Sequence, residues 1–108
     1  GMRMASIVIH NASQQIIEKG YFARPYMGIS FQPINPDIAS RYDLPAQWGV
    51  YITRVAQNSP AQQAGLQEGD IITKIGEIAL DETHSYVNTL FAFQPGDQID
   101  VYEHRQPG

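Results

Sequence analysis

Few residues in this chain belong to types that carry out chemistry, and their spacing limits what they can do. The histidines His10, His84 and His104 lie far apart and show neither triad nor metal-ligand spacing. There is no cysteine, which excludes a disulfide framework, a thiolate zinc site and thiol catalysis. Neither a GNSGG-type nucleophile loop nor a GxSxG elbow occurs. Asp70 has the chemistry of a general acid, but beside Gly69 it reads as a turn residue satisfying backbone N–H groups. No catalytic residue, metal site or cofactor is expected. Asn11-Ala12-Ser13 matches a glycosylation sequon at chance frequency.

Charge narrows the partners further. Seven basic residues stand against eleven acidic ones, for a net charge of −4, and the basic residues form no run. Nucleic acid and an anionic membrane surface both require a concentrated positive footprint, so neither is an expected partner. No apolar run is long enough to span a bilayer, and the N-terminus lacks the apolar stretch of a signal peptide. At 108 residues the chain fits one domain able to bury a core without staples. Gly1 ahead of Met2 reads as the remnant of a cleaved tag.

The elements that would position any site follow from local signals. Ser6-Ile7-Val8-Ile9-His10 has the character of a short strand. Asn11 caps an expected helix that Gly20 ends, and residues 21–25 read as a linker. Tyr26-Met27-Gly28-Ile29-Ser30-Phe31-Gln32 alternates as a strand stopped by Pro33. Asn35-Pro36-Asp37 opens a short helix ending near Tyr42. Residues 49–55 and 71–75 are β-branched strands, separated by a short helix from Ser59-Pro60 to Gly65 and a Glu68-Gly69-Asp70 turn. Asp81 is expected to cap a longer helix over residues 82–93, which Pro95-Gly96 ends, and residues 98–103 form a final strand. Arg105-Gln106-Pro107-Gly108 has turn chemistry with no second arm, so one strand of the sheet is expected to be missing. The pattern is α+β and mostly antiparallel. Within residues 82–93, Tyr86, Leu90 and Phe93 form one apolar stripe, and Val87 and Phe91 form a second beside it. Periodicity leaves open whether the second stripe widens the core contact or lines a groove.

The run Ser59-Pro60-Ala61-Gln62-Gln63-Ala64-Gly65-Leu66-Gln67-Glu68-Gly69-Asp70-Ile71-Ile72 resembles the S-P-A-x-x-A-G-L-x-x-G-D-x-I signature of PDZ domains, especially those of HtrA/Deg-type, trypsin-like serine proteases. Arg24-Pro25-Tyr26-Met27-Gly28-Ile29 is similar to the segment that opens such domains. Gly49-Val50-Tyr51-Ile52 and Phe93-Gln94-Pro95-Gly96-Asp97 agree in order. The resemblance covers residues 24–108. It implies a PDZ-like, partly open antiparallel β-sandwich or barrel with one longer and one or two short helices, its closing C-terminal strand missing. Residues 1–23 would then be a tag remnant plus a strand and linker helix from an upstream protease domain, with the strand at residues 6–10, or one from another chain, pairing a free sheet edge. Where relatives carry an Asn-Gly or Asp-Gly turn after residues 71–75, this chain has Gly76-Glu77.

The function implied by the resemblance is binding of C-terminal or extended peptide segments by strand addition, regulating or feeding a serine endoprotease. The fragment itself would not be an enzyme, its parent would be extracytoplasmic, and its partners would be protein C-termini and unfolded segments. A scaffolding, secretion-type or intramembrane-protease PDZ with a fixed partner is the alternative. The implied site comprises Arg24, Tyr26, Met27, Gly28, Ile29, Ser30, Phe31, Val87 and Phe91. The N–H groups of Met27, Gly28 and Ile29 would hold the terminal carboxylate, with Arg24 either a nearby charge or a solvated linker residue. Met27 and Ile29 would line the pocket for the last side chain opposite Val87 and Phe91. Phe31 stands as core or groove wall. A Gly28→Val change is expected to abolish binding with the fold largely intact. Trp48 is assigned no ligand role.

Overall fold

The computed structural model describes residues 2–11 and 25–105. The expected linker helix, the linker itself, Arg24 and the turn beyond Arg105 lie outside the described residues. Eight strands occur among the described residues: β1 (Met2–Val8), β2 (His10–Asn11), β3 (Pro25–Tyr26), β4 (Ile29–Ile34), β5 (Gly49–Val55), β6 (Ile71–Ile75), β7 (Ile78–Ala79) and β8 (Gln98–His104). Three short helices join them: α1 (Pro36–Arg41), α2 (Pro60–Gln63) and α3 (Tyr86–Leu90). The main sheet is antiparallel in the order β1-β8-β6-β5-β4, with β7 paired to β6, while β2 and β3 form a separate ribbon.

Alternation along the strands divides the core between the two faces of the sheet. Val50, Ile52 and Ile72 join the larger cluster with Ile7, Met27, Leu66, Tyr86 and Val101. Tyr51 and Ile71, of opposite parity, pack on the other face with Ile34, Ala39 and Leu44 under α1. Successive Ile71 and Ile72 are therefore both fully buried.

The strand expected at residues 6–10 is earlier and longer. β1 runs alongside β8 in continuous register from Met2 opposite His104 to Val8 opposite Gln98, so β8 is paired on both sides. Ala5, Ile7 and Ile9 enter the larger core. His10 falls outside β1, opposite Tyr26 in the small ribbon.

The helix expected at residues 82–93 is the largest departure. α3 has five residues, and its N-cap is Ser85, whose Oγ accepts from the Asn88 N–H at 3.2 Å. Asp81 instead closes the preceding turn, accepting from the N–H groups of Thr83 and His84 at 2.9 Å each. Past Leu90 the backbone tightens into three-residue bonds, from the Ala92 N–H to the Thr89 carbonyl and from the Phe93 N–H to the Leu90 carbonyl. Phe93 thus still packs against the core without being helical. Pro33 does not stop its strand either; it lies inside β4, opposite Val50. An edge strand tolerates a residue lacking an N–H. Gly76 and Glu77 link β6 to β7 as a two-residue hairpin, with φ +60° at Gly76 alone, as a type II′ turn requires.

A buried ionic cluster ties β1, β8 and the turn before β6 together. The Arg105 guanidinium donates to both carboxylate oxygens of Asp70, Nε to Oδ1 at 3.0 Å and Nη2 to Oδ2 at 2.8 Å. Asp70 also accepts from the Gln67 N–H at 3.0 Å, the turn role its sequence neighbours suggest. Glu103, fully buried, has the Arg3 guanidinium 2.9 Å from Oε1 and that of Arg105 at 3.7 Å. Neither Glu103 oxygen receives a well-directed hydrogen bond among the described residues. Burial, followed by the adjacent Asp70 carboxylate, raises the Glu103 pKa to about 7 against the pull of the two arginines. Burial also opposes ionisation of Asp70, but hydrogen bonds led by Arg105 lower its pKa overall.

Candidate functional site

β4 ends the sheet order and, among the described residues, pairs on one side only, with β5. Among the described residues its other side is unpaired, and it runs beside α3. Phe31 of β4 packs edge-on against Tyr86 of α3, with ring centroids 4.6 Å apart, which fixes the helix next to the strand. Tyr86 and Leu90 are buried, whereas Val87 and Phe91 remain 48% and 60% exposed. The first stripe therefore belongs to the core, and the second is an uncovered apolar surface.

The turn into β4 is set by Gly28, at φ +88°. The Met27 carbonyl accepts from the Ala61 N–H and the Gly28 carbonyl from the Ala56 N–H, each at 2.8 Å. A trans peptide plane carries its C=O and the following N–H on opposite sides. The N–H groups of Gly28 and Ile29 are accordingly turned away from those partners.

The expected site residues divide into several groups. Ile29 and Phe31 are half-buried against the core, and Ser30 and Tyr26 are exposed. Met27 is 1% exposed and packs in the larger core. The expectation that Gly28→Val leaves the fold largely intact is corrected. A Cβ there would lie 2.1 Å from the Ser59 Cβ, so the glycine accommodates the protein's own Ser59. Ser59 is buried and anchored, donating to the Ala56 carbonyl at 2.7 Å and capping α2 through the Gln62 N–H at 3.1 Å.

Sequence reasoning missed the far end of the strand–helix cleft. A cavity of about 200 Å³ opens there, walled by Phe31, Pro33, Trp48 and Leu80 and rimmed by Asp81 and Glu82. Hydrogen bonds from His84, at 2.9 Å from Oδ1, and from Thr83 hold the Asp81 pKa at about 2. The available signal was Trp48, a lone tryptophan preceding a strand.

An antiparallel sheet with one open edge strand, a glycine-controlled turn at its start and a short helix alongside is the arrangement of a PDZ domain. The PDZ domain family model matches residues 25–106, and the chain belongs to that family. It is homologous to segments of HtrA/Deg-type serine endoproteases. It is 28% identical over 99 residues to a probable periplasmic serine endoprotease DegP-like of Chlamydia muridarum, covering 92% of this chain and 20% of that protein. To the periplasmic serine endoprotease DegP of Escherichia coli K12 it is 32% identical over 75 residues, covering 69% of this chain and 16% of that protein. The chain thus spans about a fifth or less of these relatives. Among solved structures, the dmPar3 PDZ1 domain in complex with the dmPar6 PBM superposes with a TM-score of 0.62 at 16% identity, covering 96% and 94% of the two chains. INAD PDZ3 in complex with a TRP channel tail gives 0.59 at 15%, covering 97% and 87%. These two show the fold.

Proposed function

We propose that this PDZ domain binds the C-terminal end of an extended peptide as an added strand on β4, and that it serves in this way within an HtrA-like serine endoprotease outside the cytoplasm. The observation that carries the reading is the open edge of β4 beside α3, whose Val87 and Phe91 are exposed. Main-chain hydrogen bonds to such an edge supply affinity, and alternate side chains facing the helix supply selectivity. The N–H groups of Gly28 and Ile29, turned away from α2 and β5, are two successive donors suited to a terminal carboxylate. Ile29, with Val87 and Phe91 opposite, forms the apolar seat for the last side chain. The relatives whose names include periplasmic serine endoprotease support the protease setting and the compartment. Among the described residues no helix is long and apolar enough to cross a membrane.

The test is a library of C-terminal peptides screened by fluorescence anisotropy, each ligand repeated as its amide. Hydrogen bonds to a charged group contribute roughly 1.5–3 kcal/mol, so amidation is expected to weaken binding about tenfold or more. Unchanged affinity would rule out carboxylate capture. A Val87→Ser/Phe91→Ser variant removes apolar surface from an already exposed face. It should keep native thermal stability within about 0.5 kcal/mol while losing most peptide binding. Native-like affinity in that variant would remove α3 from the site.

A further inference from the structure

We propose that the cavity beyond Phe31 is a side-chain subsite selecting lysine or arginine four residues before the peptide's C-terminus. The inference rests on the strand-addition reading and extends it to a position that reading leaves unspecified. A peptide antiparallel to β4 with its carboxylate at the Gly28 turn has its last residue beside Ile29. Its residues two and four places earlier then lie beside Phe31 and Pro33, because strand residues advance in step. Those alternate side chains all point toward α3. The one beside Pro33 meets the cavity, about 200 Å³ in volume, in which Pro33, Trp48 and Leu80 form an apolar wall. Pro33 has no N–H to offer the added strand, so the peptide forgoes a main-chain bond there and side-chain contact must hold that position.

The charge of the rim selects the occupant. Asp81 and Glu82 border the cavity together with His84, which sits 2.9 Å from Asp81, and among the described residues no lysine or arginine lines it. Asp81 is held ionised by His84 and Thr83, whose hydrogen bonds fix the turn that borders the cavity. A long side chain with an apolar stem and a cationic head matches such a wall and rim, with Trp48 supplying aromatic surface for the cation. An acidic side chain there would meet two like charges.

The experiment compares octapeptides ending in a free carboxylate that differ only at the fourth residue before the last: lysine, arginine, norleucine or glutamate. Anisotropy titrations use the whole chain and its Asp81→Asn/Glu82→Gln variant, at low and raised salt. The asparagine introduced at position 81 retains a turn-capping oxygen, so the variant keeps the local fold. With the native chain, lysine and arginine are expected to bind about fivefold to tenfold more tightly than norleucine, and glutamate more weakly. The preference should shrink with salt and fall below about twofold in the variant. Equal affinities for lysine and norleucine, or a lysine preference that survives the double substitution, would overturn the subsite while leaving the peptide groove standing. If none of the free-carboxylate peptides binds, the groove reading falls and this inference falls with it.

Discussion

A Gly28→Ala variant is expected to lose about 3 kcal/mol of stability and to melt roughly 10–20 °C below the native chain. Two costs combine. An L-residue at φ +88° is strained by about 1–2 kcal/mol. The new Cβ would also lie 2.1 Å from the Ser59 Cβ, forcing a shift in a buried residue that caps α2 and holds the loop at Ala56, at about 1–3 kcal/mol for overpacking. Thermal and urea melts by circular dichroism measure the loss. A melting temperature within about 2 °C of native would contradict the argument. The variant Gly28→Ala/Ser59→Gly separates the two costs. Removing the Ser59 side chain should restore more than about 1 kcal/mol to the Gly28→Ala background, although in the native background it weakens a cap by a few tenths. The larger Gly28→Val change cannot serve as a clean binding-only variant, since it disturbs the same contact more severely.

The second large effect is a pH dependence owed to Glu103. Its pKa is raised in the folded chain from an ordinary 4.5 to about 7, chiefly by burial and then by Asp70. The folded state therefore holds this proton more tightly than the unfolded chain. The stability it contributes is fully present below about pH 4.5 and is lost as pH rises through about 7. The upper limit of the loss is about 3 kcal/mol. Asp70 acts in the opposite sense: its lowered pKa contributes stability above about pH 4 that disappears on acidification below that range. Between pH 5 and 8 Asp70 stays ionised, so that window isolates Glu103. Glu103→Gln should lie within about 1 kcal/mol of the native chain at about pH 5 and exceed it at about pH 8 by up to about 3 kcal/mol in urea unfolding. Both proteins carry the same histidines, so the difference between the two curves is the readout. Parallel curves would show that Glu103 ionises normally. The same substitution tests how β1 is held, because Arg3 reaches Glu103 directly across the strand pair.

Much of the architecture was legible in short segments because local chemistry dictated it. Asn35-Pro36 and Ser59-Pro60 each place a capping oxygen ahead of a proline suited to the first helical turn, and both helices start there. Residues 49–55 and 71–75 are β-branched runs that form strands in either setting. Helix α3 shows the limit of such signals. Asp81 and Ser85 are both competent caps, and choosing between them depended on Asp81 being engaged by Thr83 and His84. Of the two apolar stripes, the sequence alone could not say which would be covered. Phe31 against Tyr86 decided it, a contact between residues 55 positions apart.

The site shows the same division. The chain composition, free of cysteine and without a basic run, already excluded thiol chemistry and a polybasic surface. The spaced motif from Ser59 to Ile72 pointed to the family that the match over residues 25–106 establishes. What the tertiary structure alone decided was which side chains face outward. Met27 lies in the core, its carbonyl accepting from the Ala61 N–H of α2, and a Cβ at Gly28 would meet Ser59, 31 residues away. The cavity at Trp48 exists only where the end of β4, the start of β5 and the turn before α3 converge. Local sequence specifies caps, turns and strand propensity because those interactions span a few residues. Which face is buried, and what the open edge faces, depends on contacts that form only when distant segments meet.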